Sequence, residues 1–125
     1  VHVPGALFST GDGHAVQGDG EVNSTAVEVG MERVRLRFDL RRGERLPRPR
    51  AETLTHHLTF GLDEDLDSAA QQALRDMIAY LGRTQELAPH EAYRLCSLIV
   101  DLHITQAVNG VRGVHAMLPK DIFAA

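Results

Sequence analysis

At 125 residues, 43% of them hydrophobic and 24% charged, the chain is long enough for one buried core and too short for two. A formal net charge of −4 argues against a general binder of nucleic acid or of anionic membranes. One cysteine, Cys96, excludes an internal disulfide framework and suits a reducing cytoplasm, and no apolar run approaches the roughly 20 residues of a spanning helix.

The opening Val1-His2-Val3-Pro4 has no initiator methionine and no signal-peptide pattern, as expected of a processed chain, a truncated one or part of a longer one. Residues 1–10 alternate loosely through Ala6-Leu7-Phe8-Ser9 and read as a strand feeding the tract Gly11-Asp12-Gly13-His14-Ala15-Val16-Gln17-Gly18-Asp19-Gly20-Glu21. That tract holds three acids, a histidine, a glutamine and four glycines in eleven positions, a composition foreign to a buried strand or helix. Ser24–Val29 reads as a second strand. Residues 32–40 make the cleanest strand pattern, with Val34, Leu36, Phe38 and Leu40 on one side and Arg33, Arg35, Arg37 and Asp39 on the other.

Arg41–Arg50, with two prolines and a glycine, reads as a loop. Glu52–Phe60 alternates again, so His56 and His57 point to opposite faces and at most one meets the core. From Leu66 the apolar period becomes helical through Leu81, with Asp63, Glu64, Asp65 and Asp67 crowding the start and Gly82 closing the helix. Pro89 and Glu91 open a second helix through about Asp101. Residues 104–108 and 111–118 read as short strands around Asn109-Gly110, stopped at Pro119. The order predicts an α+β fold, a mostly antiparallel β-sheet with a two-helix insertion packed on one side.

Two alternating pairs in the glycine-rich tract carry the chemistry. Asp12 and His14 are two apart, as are Asp19 and Glu21, so in extended backbone each pair projects from one face. A bend between them would let both pairs converge on a divalent metal, zinc for an Asp/His/Glu set or calcium where carboxylates and backbone oxygens dominate. Gln17 and the glycine N–H groups could donate to a carbonyl oxygen or an oxyanion. The competing reading is two Gly-Asp-Gly surface turns whose aspartates bond their own backbone. Elsewhere the signals are weaker. Cys96 lies on the apolar side of a helix, where burial makes a thiol inert. The arginines of residues 33–37 read as a solvated face or, less simply, a contact for an acidic partner. His90, His103 and His115 stand alone in sequence and suggest no site.

The same tract, followed by Thr25-Ala26-x-Glu28, resembles the acetamidase/formamidase family. Glu52-Thr53-x-Thr55-His56, Gly61-Leu62-Asp63-Glu64-Asp65-Leu66, Ile104-Thr105-Gln106-x-Val108-Asn109, Gly113-Val114 and Leu118-Pro119-Lys120-x-Ile122-Phe123 agree with it. The resemblance implies hydrolysis of short aliphatic amides, such as formamide and acetamide, to the acid and ammonia with a divalent metal. It implies that residues 1–125 form a single domain corresponding to the family's C-terminal portion, with the N-terminal half absent, and that the protein assembles as a dimer or larger homo-oligomer.

The residues support the same chemistry by exclusion. There is no Gly-x-Ser-x-Gly elbow, no evident serine–lysine pair, and the single lysine, Lys120, would have to meet an exposed Cys96 for a thiol mechanism. Metal-activated water is the route left open. Asp12, His14 and Asp19 are then the expected metal ligands. Glu21 is the expected proton carrier, Gln17 the group that steadies the carbonyl oxygen, and His14 shares in catalysis. The alternative is a non-catalytic metal-binding or assembly module.

Overall fold

The computed structural model describes Gly5 and residues 7–123. Its elements are β1 (His14–Val16), β2 (Val27–Glu28), β3 (Arg50–Glu52), β4 (His56–Asp63), α1 (Leu66–Thr84), α2 (Pro89–Ile99), β5 (Asp101–Gln106) and β6 (Arg112–Pro119), followed by a 3-10 turn at Asp121–Phe123. β3-β4-β6-β5 form a four-stranded antiparallel sheet, and β1 and β2 pair separately. The two helices enter between β4 and β5 and pack on one face of the larger sheet, as the α+β reading expects.

Sequence explains why the helices start where they do. Asp65 accepts a hydrogen bond from the Ser68 amide at 2.7 Å and caps α1. Pro89 occupies the first turn of α2, and the Glu91 carboxylate accepts from the Ala88 amide at 2.9 Å. Gly82 does not close α1. The helix runs through it to Thr84, and the Gln85 amide donates to the Leu81 carbonyl at 2.8 Å. Ala69, Ala73, Met77 and Leu81 of α1 meet Ala92 and Cys96 of α2 and Val114, Ala116 and Leu118 of β6 in the buried core. Burial holds the Cys96 thiol above its ordinary pKa, as expected of an inert core cysteine.

α1 sits unusually close to β4 at Gly61. A Cβ there would lie 1.8 Å from the Ala69 carbonyl oxygen, so only glycine fits under the helix. Two residues earlier, the buried Thr59 hydroxyl donates to the Ala73 carbonyl at 2.7 Å. His57, on the same face, packs its ring 5.0 Å from that of Tyr80, while His56 bonds Thr55. The two histidines do face apart.

Further expectations change. The alternating residues 32–40 form no strand among the described residues, and Val34, Leu36, Phe38 and Leu40 are exposed. Alternation records a one-sided environment, and a strand forms only where a partner strand supplies hydrogen bonds. The segment has instead an Arg37–Asp39 ion pair and an edge-on contact between Phe38 and Phe8 at 4.8 Å. The 24–29 strand shortens to Val27–Glu28.

The expected strand from Glu52 to Phe60 is two strands with a turn between them. The Thr53 hydroxyl accepts from the amides of Thr55 and His56, folding β3 back on β4 and leaving Leu54 exposed. At the amino end, residues 7–10 form no strand, and the rest of that expectation (residues 1–4 and 6) lies outside the described residues.

Gly61→Ala should destabilise the fold by about 1–3 kcal/mol or more, read as a lower urea midpoint, because the helix must move off the sheet. Burial lowers the pKa of His57, opposed by Glu52. The neutral ring is therefore favoured in the folded chain, and its stabilisation is full above the ordinary histidine value and lost as pH falls from there through the lower folded value. His57→Phe should flatten the decline in urea midpoint between neutral and mildly acidic pH; an unchanged decline would place its origin elsewhere.

Candidate functional site

The glycine-rich tract runs between two anchors. Near its start, β1 pairs with β2 so that His14 lies opposite Glu28, and the Val29 amide donates to the Gly13 carbonyl at 3.1 Å. At its end, Gly20, with φ of 98°, joins the edge of β5: its amide donates to the Thr105 carbonyl at 3.3 Å and its carbonyl accepts from the Ala107 amide at 2.6 Å. The five expected site residues are distributed along this span.

Asp12 and His14 come together, and the third group beside them is Glu28. One donor atom from each lies within 4.8 Å of the others. His14 Nδ1 is 2.8 Å from Gln17 Oε1, an amide oxygen that can only accept, so Nδ1 carries the hydrogen and Nε2 keeps its lone pair. That Nε2 is shut off from solvent, 3.5 Å from Asp12 Oδ1, and has no hydrogen-bond partner. The bond to Gln17 raises the His14 pKa, burial opposes it, and the Asp12 and Glu28 carboxylates add to the rise. Asp12 and Glu28 also line a shallow opening beside Gly13, Val29 and Gly30.

Asp19 lies elsewhere. Its Oδ2 is 3.2 Å from His103 Nδ1 and 4.0 Å from His115 Nε2. Glu21 belongs to neither group and accepts from Asn109 Nδ2 at 3.2 Å. The tract therefore presents two clusters, one per end. A cleft of about 500 Å³ between residues 41–52 and α1, lined by Arg41, Glu44, Arg50, His57 and Tyr80 among others, contains none of the five residues.

Two of the five are held in left-handed backbone, Asp12 at φ 56° and Glu21 at φ 35°. Aspartate tolerates that region through local hydrogen bonding, glutamate less so. Such strain is typical of residues kept for what their side chains do.

Glu28, His103 and His115 went unread in the sequence although signals for them existed. Glu28 lies in the stretch that extends the family resemblance, and only the β1–β2 register reveals its neighbour. His103 and His115 flank the Asn109-Gly110 turn, and the register shift between Ile104 and Gln106 is what sets them directly opposite each other.

Residues 1–125 match the Acetamidase/Formamidase family along their whole length. The chain resembles the crystal structure of an acetamidase from Yersinia enterocolitica with a TM-score of 0.77 and 31% identity, covering 90% of this chain and 34% of that one. An acetamidase from Bacillus halodurans aligns with a TM-score of 0.58 and 35% identity over 62% of this chain and 26% of the other. No curated protein matches it. The chain thus spans about a quarter to a third of the length of these structures. It belongs to the acetamidase/formamidase family.

Glu21→Gly should retain or raise the melting temperature despite losing the bond to Asn109, because glycine adopts the left-handed backbone without strain. A clear fall in melting temperature would show that the Glu21 side chain serves the fold.

Proposed function

We propose that this chain carries catalytic groups of a hydrolase that cleaves short aliphatic amides, formamide and acetamide among them, to the carboxylic acid and ammonia. Support comes from family membership, from two solved relatives described as acetamidases, and above all from the convergence of Asp12, His14 and Glu28 around a buried imidazole nitrogen with no partner. An orphaned Nε2 beside the Asp12 carboxylate, with Glu28 in the same group, fits a divalent cation, zinc or calcium, better than it fits a structural turn. A cation bound there supplies positive charge that acidifies water and polarises the amide carbonyl.

The chain's own residues supply the rest. Asp12, His14 and Glu28 would hold the ion, with Glu28 in the place expected for Asp19. Gln17 fixes the His14 tautomer through Oε1, which leaves its NH2 group to donate to the carbonyl oxygen of the substrate. Glu21 lies outside the ion-holding group, bonded to Asn109, and is assigned the transfer of a proton from water to the departing ammonia on its place in the family tract. Assembly as a homo-oligomer and a cytoplasmic location belong to the same proposal. No described helix is long and apolar enough to cross a membrane.

Ammonia release from formamide and acetamide tests this reading. His14→Ala, which removes a group that would hold the ion, and Glu21→Gln, which removes the proton carrier, should each lower kcat/KM by roughly 10²-fold or more. Unchanged rates would remove both residues from the mechanism.

A second reading has its own observation behind it. The exposed apolar side chains of residues 32–40, on a chain a quarter to a third as long as its solved relatives, favour a metal-binding or assembly module that is inactive alone. Bound metal without turnover would select that reading.

A further inference from the structure

The face of the larger sheet turned away from the helices carries a cluster that the amide reading does not use. We propose that Asp19, His103 and His115 form a second divalent metal site, separate from Asp12, His14 and Glu28 and selective for a transition ion of the zinc and cobalt class. His103 and His115 are direct partners across β5 and β6, and their rings stack with centroids 5.3 Å apart and planes at 23°. Each offers a nitrogen to the same carboxylate oxygen, Asp19 Oδ2, at 3.2 and 4.0 Å. One donor atom from each of the three lies within 4.8 Å of the others.

An ordinary ion pair explains the shorter distance and leaves the longer one unexplained. At 4.0 Å, His115 Nε2 is beyond hydrogen-bonding range of the carboxylate. Donors that share one ion about 2.0–2.2 Å away stand roughly 3–4 Å apart, and both distances to Asp19 Oδ2 fall in that range.

His115 is also prepared as a ligand. The residue is only 6% exposed, and its Nδ1 lies 2.7 Å from the Thr105 hydroxyl. With the hydroxyl oxygen accepting the Nδ1 hydrogen, the Nε2 lone pair faces Asp19, the arrangement in which an outer partner orients a ligating histidine. The Phe60 ring packs at 5.9 Å and limits how the imidazole can turn. The backbone is fixed as well. Gly20, next to Asp19, bonds Thr105 and Ala107, so the carboxylate is tethered to the strand that carries His103.

Donor chemistry sets the choice of ion. Two imidazole nitrogens and one carboxylate oxygen suit zinc, cobalt or nickel, whereas calcium asks for six to eight oxygens. Asp19 and His103 are partly open to solvent, leaving room for water in the remaining positions.

Cobalt(II) titration of the chelator-stripped 125-residue chain tests the proposal, read by visible d–d absorption and by paramagnetic shifts of the histidine ring protons. In a chain carrying Asp12→Asn and His14→Ala, one equivalent should still bind and shift the His103 and His115 resonances, and excess calcium should not displace it. His103→Gln and Asp19→Asn, both at partly exposed positions where folding is readily confirmed by circular dichroism, should weaken that binding at least about 10–100-fold. Failure of the Asp12→Asn/His14→Ala chain to bind cobalt would overturn the site. So would binding that leaves the His103 and His115 signals unmoved.

Discussion

The contact between α1 and β4 at Gly61 is the constraint on which the rest depends. The helix lies directly on the strand because Gly61 has no side chain and because Ala69 and Ala73 present small ones, and the Thr59 hydroxyl ties the Ala73 carbonyl to the sheet. With α1 seated there, Met77 and Leu81 reach Val114, Ala116 and Leu118 of β6. That fixes β6 between β4 and β5 and leaves the other face of these strands free to carry polar groups.

The two candidate ligand groups lie at the two ends of the glycine-rich tract, one of them on that other face. Glycines let the tract turn sharply, and two short sets of backbone hydrogen bonds stop it from wandering. One end is clamped by the β1–β2 pair, which sets Glu28 opposite His14. The other is clamped by Gly20 on β5, which sets Asp19 against two histidines of the large sheet. A tract with few apolar anchors thus gains definition from the elements it borders, and its strained Asp12 and Glu21 are held in place by those borders.

Much of this was legible beforehand, and the gaps have physical causes. The helices were readable because their period is local and their caps, Asp65 and Pro89, are adjacent in sequence. The opposed directions of His56 and His57 followed from strand geometry alone. Residues 32–40 misled because alternation reports which side chains prefer shelter, while pairing depends on a neighbour that sequence distance hides. Thr53 cut a continuous pattern in two with a side-chain-to-backbone bond that no hydrophobic period reveals. The acid-rich tract was found at once, but its partition was not. Asp12 and Asp19 look equivalent in sequence, and only the pairing of distant strands sends one toward Glu28 and the other toward His103 and His115.

The turn at Asn109-Gly110 carries a further consequence. Because β6 buries Val114, Ala116 and Leu118 beneath the helices and turns His115 the opposite way, the number of residues in that turn decides which imidazole meets which. Lengthening it by a single residue would let β6 keep its seat in the core while His115 loses its place across from His103. Hairpin length at this exposed corner thus bears on how the two imidazoles align across β5 and β6.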